Sequence, residues 1–546
     1  MHLLFLRLKL WLGEWGGGLF ACSLSYYLLW ASHAPRSSPE GVLVFLVPLL
    51  LWIHFRPSVR KLVLCTMVCG WVYHAMMVGW MRHISPGGVG IATLLLSFYY
   101  LPWFLCAHRW YPRFNRSGFS GRLLIIVGLS SLWVSLEWLR TFFTLGFPWC
   151  PVSATQWERP VLLQASSVLG SGAISFFLIF FNLSIASYIH HLLVRRKKAE
   201  GFLNRSICPE FYLGLLLLLG LLGPYFSGST TTDSKEMKVI KVGICQPYLL
   251  DKWEAGMAPK HKETLRKQTE FLAMLRPDLI LWPEASTPYP LNLDSAWVNE
   301  LAAKTGIPML VGSVIREDEY SYNAMVYVDP LSGVQPEWYA KQVLVPFGEY
   351  IPFPFNYIPG LRKMVGPVGN FTEGDYPYIS ELPLNQGKPE AKIRIGGLIC
   401  YEDIFPALTR EVVQQGVDLL VVSTNDAWFK EEGCAEQHAA HSVLRAVENR
   451  IPIVRCGNAG WSGWIDSYGF QREVLRNEEG SIYFQGASVV NVEIPANKEE
   501  ASTLLPLLFD YLCLLVFLLV AIHNKYSAMP AMPSREGSLG LDTLPK

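Results

Sequence analysis

The chain has 546 residues, of which 51% are hydrophobic and only 17% are charged, and its formal net charge at pH 7 is +1. This length exceeds one ordinary hydrophobic core and indicates two or more domains. The composition is typical of a membrane protein and excludes an ordinary soluble globular one. A net charge close to zero gives no support for a nucleic-acid partner.

Apolar stretches recur before residue 230 and once more near the end of the chain. Most are long enough for a membrane-spanning helix, although the second and the seventh are short for a full span. We predict about eight spans, at residues 10–31, 41–55, 61–81, 89–107, 122–142, 162–194, 211–227 and 503–523. The chain is therefore predicted to contain a polytopic α-helical membrane domain.

The connections between these helices differ in charge. Most of their Lys and Arg residues fall on the side of the amino terminus, and the other side holds only Arg36, Arg82, Arg140 and Arg159. Basic residues are retained on the cytoplasmic side of a membrane. The amino terminus is therefore predicted to be cytoplasmic, and the segment that follows the seventh span is predicted to be external.

Four segments follow from this topology. Residues 1–227 hold the first seven helices, and residues 228–502 form the external domain. Residues 503–525 form the eighth helix, and residues 526–546 form a cytoplasmic tail. The tail is rich in Ser, Pro, Gly and Met, so we expect it to be disordered, and it contains no motif that indicates a function.

The external segment shows a different pattern, in which short apolar runs alternate with helix-like stretches. The runs typical of strands are Val239–Ile244, Asp278–Trp282, Pro308–Ser313, Ala324–Val328, Ile393–Ile399, Val417–Ser423, Ile451–Arg455 and Val489–Ile494. The helix-like stretches are residues 261–275, 293–304, 406–415 and 435–449. This alternation predicts an α/β domain, a sandwich of sheets with helices outside.

Three reactive side chains stand in distinctive settings within this domain. Glu284 and Cys400 fall at the carboxyl ends of strand-like runs, and ligands of α/β sheets bind at such ends. Lys341 is followed eight residues later by Glu349. A lone cysteine is ordinarily a packing residue. Together, however, a thiol, an amine and a carboxylate are the parts of a Cys-centred acyl-transfer site.

In this chain order Glu284, Lys341 and Cys400 match the triad of the nitrilase (carbon–nitrogen hydrolase) superfamily, which the external segment resembles. The whole chain, over roughly residues 1–525, resembles the bacterial apolipoprotein N-acyltransferase family. The motifs that carry this second resemblance are Gly146-Phe147-Pro148-Trp149, Pro346-Phe347-Gly348-Glu349-Tyr350, Asn425-Asp426-Ala427-Trp428-Phe429, Arg445-Ala446-Val447-Glu448-Asn449-Arg450 and Gly457-Asn458-Ala459-Gly460.

The resemblance implies an acyltransferase of the bacterial cytoplasmic (inner) membrane, with a nitrilase-like domain on its periplasmic face. Cys400 would take a fatty acyl chain from a membrane phospholipid as a thioester. The acceptor would be the α-amino group of the diacylglyceryl-modified amino-terminal cysteine of an apolipoprotein. Neither half of this reaction needs a metal or another cofactor, so we expect neither.

The residue types suggest how such a site would work. A neighbouring Lys341 ammonium favours the thiolate form of Cys400, which is the nucleophile. Glu284 can take the thiol proton and later serve as general acid and base. Lys341 and the backbone N–H of Tyr401 can hold the oxyanion of a tetrahedral intermediate.

Three further residues are supporting candidates. The resemblance implies that Glu349 supports the lysine, and Glu402 is expected to orient the loop after the nucleophile through hydrogen bonds. Trp253 resembles a mobile-loop tryptophan that meets lipid in this family. An ordinary, partly exposed aromatic residue is an equally good interpretation of Trp253.

Other ionisable residues invite functions that we weigh against packing. His438 and His441 would allow a papain-like Cys–His pair with Cys400, but a solvated or packing role is commoner for such helical residues, and we discount the pair. Acidic residues in or near apolar spans are either functional or hydrogen-bonded between helices. These are Glu14, Glu137 and Asp510.

Two other functions are compatible with parts of the sequence. A membrane-tethered nitrilase-type amidase acting on a small amide would use the same triad, with water as the acceptor. The stretch Ile351–Tyr376 favours lipid, because a soluble hydrolase rarely leaves so many apolar residues in a loop, and we interpret it as a membrane-dipping lid. An inactive transporter or scaffold is disfavoured by the intact Glu–Lys–Cys set.

Overall fold

The computed structural model describes residues 15–84, 86–142, 146–193, 208–223, 237–250, 254, 256–358, 369–383, 392–496 and 504–526. Two candidates from the sequence, Glu14 and Trp253, lie outside the described residues, as does the tail beyond residue 526. Their interpretations stay predictions.

The amino-terminal part is a bundle of apolar helices, joined by the last helix of the chain. We call these helices together the bundle. They are α1 (Trp15–Ser32), α2 (Val47–His54), α3 (Val59–Met77), α4 (Pro86–Tyr99), α5 (Leu101–Trp110), α6 (Phe119–Leu139), α7 (Pro160–Leu163), α8 (Ser166–Leu169), α9 (Ser171–Leu193) and α10 (Pro209–Gly220), and the last helix of the chain is Leu505–Tyr526. The predicted membrane domain is thus helical.

Within the described ranges, the helices long and apolar enough to cross a membrane number four. They are Gly87–Phe114, Phe119–Leu139, Ser171–Leu193 and Leu505–Lys525. Two predicted spans are interrupted. The stretch 41–55 divides into a short 3-10 helix and α2, and Gly170, with a φ of 79°, separates α8 from α9. The number of spans stays a prediction.

The carboxyl-terminal part is an α/β domain built on two sheets, as the sequence predicted. The strands are β1 (Met237–Gln246), β2 (Leu279–Trp282), β3 (Met309–Glu317), β4 (Tyr320–Asp329), β5 (Gly333–Ala340), β6 (Ile379–Pro383), β7 (Lys392–Ile399), β8 (Leu419–Thr424), β9 (Ile453–Gly457), β10 (Gly463–Ile465), β11 (Gln471–Arg472) and β12 (Gly486–Pro495). The first sheet has the order β12-β1-β2-β3-β4-β5, and the second has the order β11-β10-β9-β8-β7-β6.

Each sheet has a parallel centre and antiparallel edges. In the first sheet β1, β2 and β3 are parallel, and in the second β7, β8 and β9 are parallel. Every residue of β2 and β8 is buried, because both faces of a central strand are covered. Apolar side chains of the two sheets form the core between them, with Leu281 on one side and Val421 on the other. The domain is a sandwich.

Helices cover the outer face of each sheet. Helices α11 (Ala258–Met274) and α12 (Ala296–Thr305) pack on the first sheet. Helices α13 (Pro406–Gln414) and α14 (Cys434–Asn449) pack on the second, in one continuous apolar cluster with the bundle. The helix of the chain after β12, Leu505–Tyr526, is α15, and it returns to pack on α6. The second sheet therefore faces the bundle.

Candidate active site

Glu284 lies just beyond the carboxyl end of β2 and is held there by the neighbouring strand. The backbone N–H of Ser286 donates to the Gly312 carbonyl of β3 at 2.8 Å. A Cβ at Gly312 would lie 2.3 Å from the Pro283 oxygen, so this close approach requires glycine. The Glu284 side chain is 7% exposed and points its carboxylate into the domain.

Lys341 directly follows β5, and its ammonium lies between two carboxylates. Its Nζ is 2.9 Å from Glu349 Oε1 and 3.4 Å from Glu284 Oε1, and the side chain is 1% exposed. Burial alone would lower the pKa of Lys341, but Glu349 and Glu284 outweigh burial and raise the pKa above its ordinary value. The lysine is therefore a fixed cation and cannot serve as a base near neutral pH.

Asn323 in β4 is a site residue that the sequence did not predict. Its Nδ2 donates to Glu284 Oε1 at 2.7 Å and to Glu349 Oε1 at 3.0 Å. The Asn323 carbonyl also accepts from the Lys341 backbone N–H at 2.8 Å. The available signal was a polar amide directly before the apolar run Ala324–Val328, because asparagine is depleted in strands.

Cys400 directly follows β7, at a sharp turn from the strand into a 3-10 helix, Cys400–Ile404. Its φ is 52°, a left-handed conformation that costs a non-glycine residue energy and is found at functional sites. Burial, and then the Glu284 charge, raise the pKa of the thiol well above its ordinary value, while Lys341 and a hydrogen bond with Thr424 oppose them. The resting side chain is a thiol that needs a base.

Glu402 is fully buried and joins the nucleophile strand to the lysine segment. Oε2 accepts from the Ile399 backbone N–H at 2.6 Å and from the Tyr339 hydroxyl at 2.8 Å. Oε1 accepts from the backbone N–H groups of Gln342 at 2.5 Å and Val343 at 3.2 Å. These bonds cross from the second sheet to the first, so Glu402 fixes the position of Cys400 relative to Lys341.

Tyr401 connects the site with the bundle. Its hydroxyl donates to the Gly146 carbonyl at 2.7 Å, and its ring lies parallel to that of Phe147. Both partners belong to the connection between α6 and α7, which carries the Gly146-Phe147-Pro148-Trp149 motif. The loop after the nucleophile is thus anchored to a membrane-helix connection.

His438 in α14 lies against Cys400, where the sequence had suggested a solvated or packing role. Its Nε2 is 3.0 Å from the Cys400 carbonyl oxygen and 2.8 Å from Asp403 Oδ1, and its Nδ1 is 3.0 Å from Asp426 Oδ1. Asp403 also pairs with Arg455 at 2.5 Å. A buried network of charged groups therefore backs the nucleophile.

His441, one turn further along α14, has a different partner. Its Nε2 accepts from the backbone N–H of Cys150 at 3.2 Å, and burial lowers its pKa well below the ordinary value. It is a neutral residue of the contact between α14 and the bundle, in agreement with the packing role.

Cys400, Asp426 and His438 also form a set with possible metal-ligand atoms, all within 4.8 Å of one another. Both nitrogens of His438 already contact oxygen acceptors, and a metal would have to displace one of these contacts. The histidine is better described as part of a hydrogen-bond network.

Of the acidic residues in apolar spans, Glu137 has packing partners. Its Oε1 accepts from the Trp133 indole N–H at 2.9 Å and from the Val152 backbone N–H at 2.8 Å. Asp510 in α15 lines a small cavity together with Glu137 and Arg445. Neither carboxyl is among the side chains around Cys400 described above, and the bonds of Glu137 favour a structural role.

The fold and the site define a carbon–nitrogen hydrolase domain joined to a membrane bundle. Residues 241–491 match the family model for a carbon-nitrogen hydrolase, and residues 26–184 match the model for the apolipoprotein N-acyltransferase N-terminal domain. The chain belongs to the apolipoprotein N-acyltransferase family.

Curated relatives extend this similarity over most of the chain. An apolipoprotein N-acyltransferase of Geobacter metallireducens is 29% identical over 82% of this chain and 86% of its own length. One of Chlorobaculum tepidum is 27% identical over 78% of this chain and 82% of its own length. One of Agrobacterium fabrum is 30% identical over 63% of this chain and 64% of its own length. The similarity to the first two relatives therefore extends into both the bundle and the α/β domain of this chain.

Proposed function

We propose that the protein transfers a fatty acyl chain from a membrane phospholipid to the α-amino group of the diacylglyceryl-modified amino-terminal cysteine of an apolipoprotein. The observation that carries this proposal is the arrangement of Glu284 and Lys341 around a strained Cys400 in a chain of this family. The names of the curated relatives support the acyl acceptor. The reaction proceeds through a thioester on Cys400 and is of the ping-pong type.

In the first half-reaction Glu284 takes the proton of the Cys400 thiol, and the sulfur attacks the ester carbonyl carbon of the phospholipid. Lys341 Nζ and the Tyr401 backbone N–H stabilise the oxyanion that forms. The ester C–O bond then breaks, and Glu284 returns the proton to the leaving oxygen of the lysophospholipid. The acyl chain remains on sulfur, and protons and electrons balance without a further reactant.

In the second half-reaction the acceptor amine attacks the thioester carbon. Glu284, again a carboxylate, takes the proton of the amine as the C–N bond forms. The C–S bond breaks, and the proton returns to the sulfur. Glu349 and Asn323 contribute by holding Lys341 and Glu284 at fixed positions through both halves.

The segment that follows Glu349 supports a lipid substrate. Phe353 is 77% exposed and Tyr357 is 74% exposed, and Ile358 and Tyr376 are exposed as well. Two residues of the predicted lid, Leu361 and Met364, lie outside the described residues. Several exposed aromatic and aliphatic side chains on one segment beside the site suit contact with acyl chains.

The charge pattern of the connections supports an orientation with the α/β domain on the periplasmic face of the inner membrane. The contact of α14 with the bundle is consistent with a domain that lies at the membrane surface. In this position Cys400 can reach both a phospholipid and a membrane-anchored lipoprotein.

Intact-protein mass spectrometry after incubation with phospholipid vesicles tests the proposal. Wild type is expected to gain the mass of an acyl chain, and hydroxylamine is expected to remove it. Cys400→Ala should gain nothing. Cys434→Ala is the matched control, because it removes a neighbouring buried thiol, and it should acylate like wild type. An adduct on Cys400→Ala, or none on wild type with hydrolysis of small amides instead, would contradict the proposal.

A further inference from the structure

The peptide unit between Cys400 and Tyr401 is held from one side. His438 Nε2 lies 3.0 Å from the Cys400 carbonyl oxygen, and the histidine is 2% exposed. In a planar trans peptide the N–H points opposite to the C=O. Anchoring the Cys400 carbonyl therefore also fixes the direction of the Tyr401 N–H.

The Tyr401 N–H is available for a ligand. Tyr401 is in the first turn of the 3-10 helix Cys400–Ile404, where backbone N–H groups have no acceptor within the helix. The left-handed conformation of Cys400 makes this turn possible, but it is costly for a residue with a side chain. A strained turn keeps its geometry only when surrounding groups hold it, and His438 is positioned to do so.

The contacts of His438 indicate its protonation state. Nδ1 faces Asp426 Oδ1, and Nε2 faces both Asp403 Oδ1 and the Cys400 carbonyl oxygen. Since all three partners are acceptors, both ring nitrogens must donate, and the ring is an imidazolium. An imidazolium has no lone pair with which to take the thiol proton.

The other charged groups around the ring do not reverse this conclusion. Burial lowers the pKa of His438, and Arg455 from β9 lowers it further, but Asp403 and Asp426 raise it to about 9. From its own helix His441 faces it as a neutral ring, and the Trp149 ring lies 5.6 Å away. His438 is therefore charged at neutral pH.

We propose that His438 is a positioning residue that clamps the Cys400 carbonyl and thereby aims the Tyr401 N–H at the oxyanion. Asp426 and Asp403 orient the histidine, and Arg455 holds Asp403 in turn. This inference rests on the proposed acylation of Cys400. It assigns His438 to stabilisation of the oxyanion and not to proton transfer.

The test compares two reactions of Cys400. A burst of nitrophenolate from p-nitrophenyl butyrate reports acylation, which forms an oxyanion, and alkylation by iodoacetamide reports thiol reactivity without one. In His438→Leu the acylation rate should fall about 10- to 100-fold, because the Tyr401 N–H is no longer aligned with the oxyanion. The alkylation rate should stay within about 3-fold of wild type, since no oxyanion forms in that reaction.

Two further variants complete the design. His438→Gln keeps a neutral donor near the carbonyl and should recover most of the acylation rate. If His438→Leu does not fold, the same two rates are measured in His438→Gln. His441→Gln replaces the other buried histidine of α14 and should acylate at close to the wild-type rate.

Each result decides one question. Equal losses of acylation and alkylation in a His438→Leu protein that is still folded at the assay temperature, as judged by circular dichroism, would overturn the clamp in favour of a thiol-activating histidine. Unchanged acylation in that variant would also overturn it. Because the ester probe needs no phospholipid, a wild-type enzyme that gives the burst but no phospholipid adduct would contradict the proposed donor alone.

Discussion

The two sheets of the α/β domain have the same arrangement of strands, but the helices that cover them differ in their surroundings. In α11, on the first sheet, the buried residues recur at helical spacing on one face, and most of the others are partly or fully exposed. In α14, on the second sheet, every residue except Glu436 is buried. The helix layer on the first sheet is therefore partly exposed to solvent, whereas α14 on the second sheet is buried between that sheet and the bundle.

The polar residues of the two helices differ in the same way. Gln268 of α11 donates to the Gln246 and Gly486 carbonyls within its own sheet. Gln437 of α14 instead binds the bundle. Its Oε1 accepts from the indole N–H groups of Trp80 at 3.1 Å and Trp149 at 2.8 Å, and its Nε2 donates to the Met77 carbonyl at 3.0 Å.

This difference explains why the nucleophile lies where it does. The first sheet supplies Glu284 and Lys341, and the second supplies Cys400, whose carbonyl contacts the residue next to Gln437. The half that holds the candidate nucleophile is thus the half attached to the bundle. We therefore expect changes in α14 to disturb both the contact of the α/β domain with the bundle and catalysis. Changes on the outer face of the first half should disturb neither.

The largest effect is expected for Lys341→Met. This change removes the cation between Glu284 and Glu349 and leaves two buried carboxylates without compensation, which costs about 3–5 kcal/mol of stability. It also removes the proposed oxyanion donor, so the burst from p-nitrophenyl butyrate should slow about 100- to 1,000-fold. Lys392→Met, at an exposed pair with Glu381, is the matched control and should change neither quantity. A fully active Lys341→Met enzyme would contradict the assignment of Lys341 to the active site.

The next effect is a pH dependence of stability. The two aspartates raise the pKa of His438 from 6.5 to about 9. Folding favours the protonated form of His438, so its contribution to the free energy of unfolding is fully present below pH about 6.5. This contribution is lost as the pH rises through about 9. The loss is about 3 kcal/mol at most. Chemical denaturation from pH 6 to 10 should show this fall in wild type and not in His438→Gln. Parallel curves for the two proteins would contradict the assignment.

Gln437→Leu should have a smaller effect on stability that still reaches the site. Two indole N–H groups and the Met77 carbonyl lose a partner, at a cost of about 2 kcal/mol overall. Because His438 follows directly in the helix, the acylation burst should also slow by about 3- to 10-fold. Gln268→Leu is the matched control in the other half and should lower the melting temperature without slowing the burst. Equal burst rates in Gln437→Leu and Gln268→Leu would contradict the proposed difference between the two halves.

The smallest effect is expected on the solvent face of α11. Lys267→Ala removes an exposed pair with Glu263, whose nitrogen and oxygen are 3.3 Å apart. Such pairs contribute within about 0.5 kcal/mol. Thermal unfolding should be nearly unchanged, and a large shift would indicate that this face is covered.

The strands that lead to Glu284 and Cys400 could be predicted from the sequence because each is a short, mainly apolar run with a reactive side chain just after its end. Strand β5, which leads to Lys341, was missed, since Gly333–Ala340 contains Pro336 and Glu337 and has no apolar run. Its partner β4 pairs with it through the sheet ladder, a contact that periodicity along the chain does not reveal.

The role of α14 could not be predicted for a related reason. Its residues alternate between polar and apolar types, as those of a solvent-facing helix do, and this pattern favours packing or solvent for its histidines. Only the three-dimensional contact with the bundle buries both faces and brings His438 to the Cys400 carbonyl. Asn323 was missed because its two carboxylate partners come from distant parts of the chain.

A chase of the isolated acyl-enzyme tests most directly whether Cys400 carries the acyl chain from donor to acceptor. Wild type would be acylated from vesicles of a phospholipid with an isotope-labelled acyl chain, freed of lipid and mixed with a peptide that begins with diacylglyceryl-cysteine. We expect the label to leave Cys400 and to appear on the peptide as a hydroxylamine-stable amide, and an N-acetylated peptide should receive none. Release of the label only as free fatty acid, with the peptide unmodified, would contradict the account.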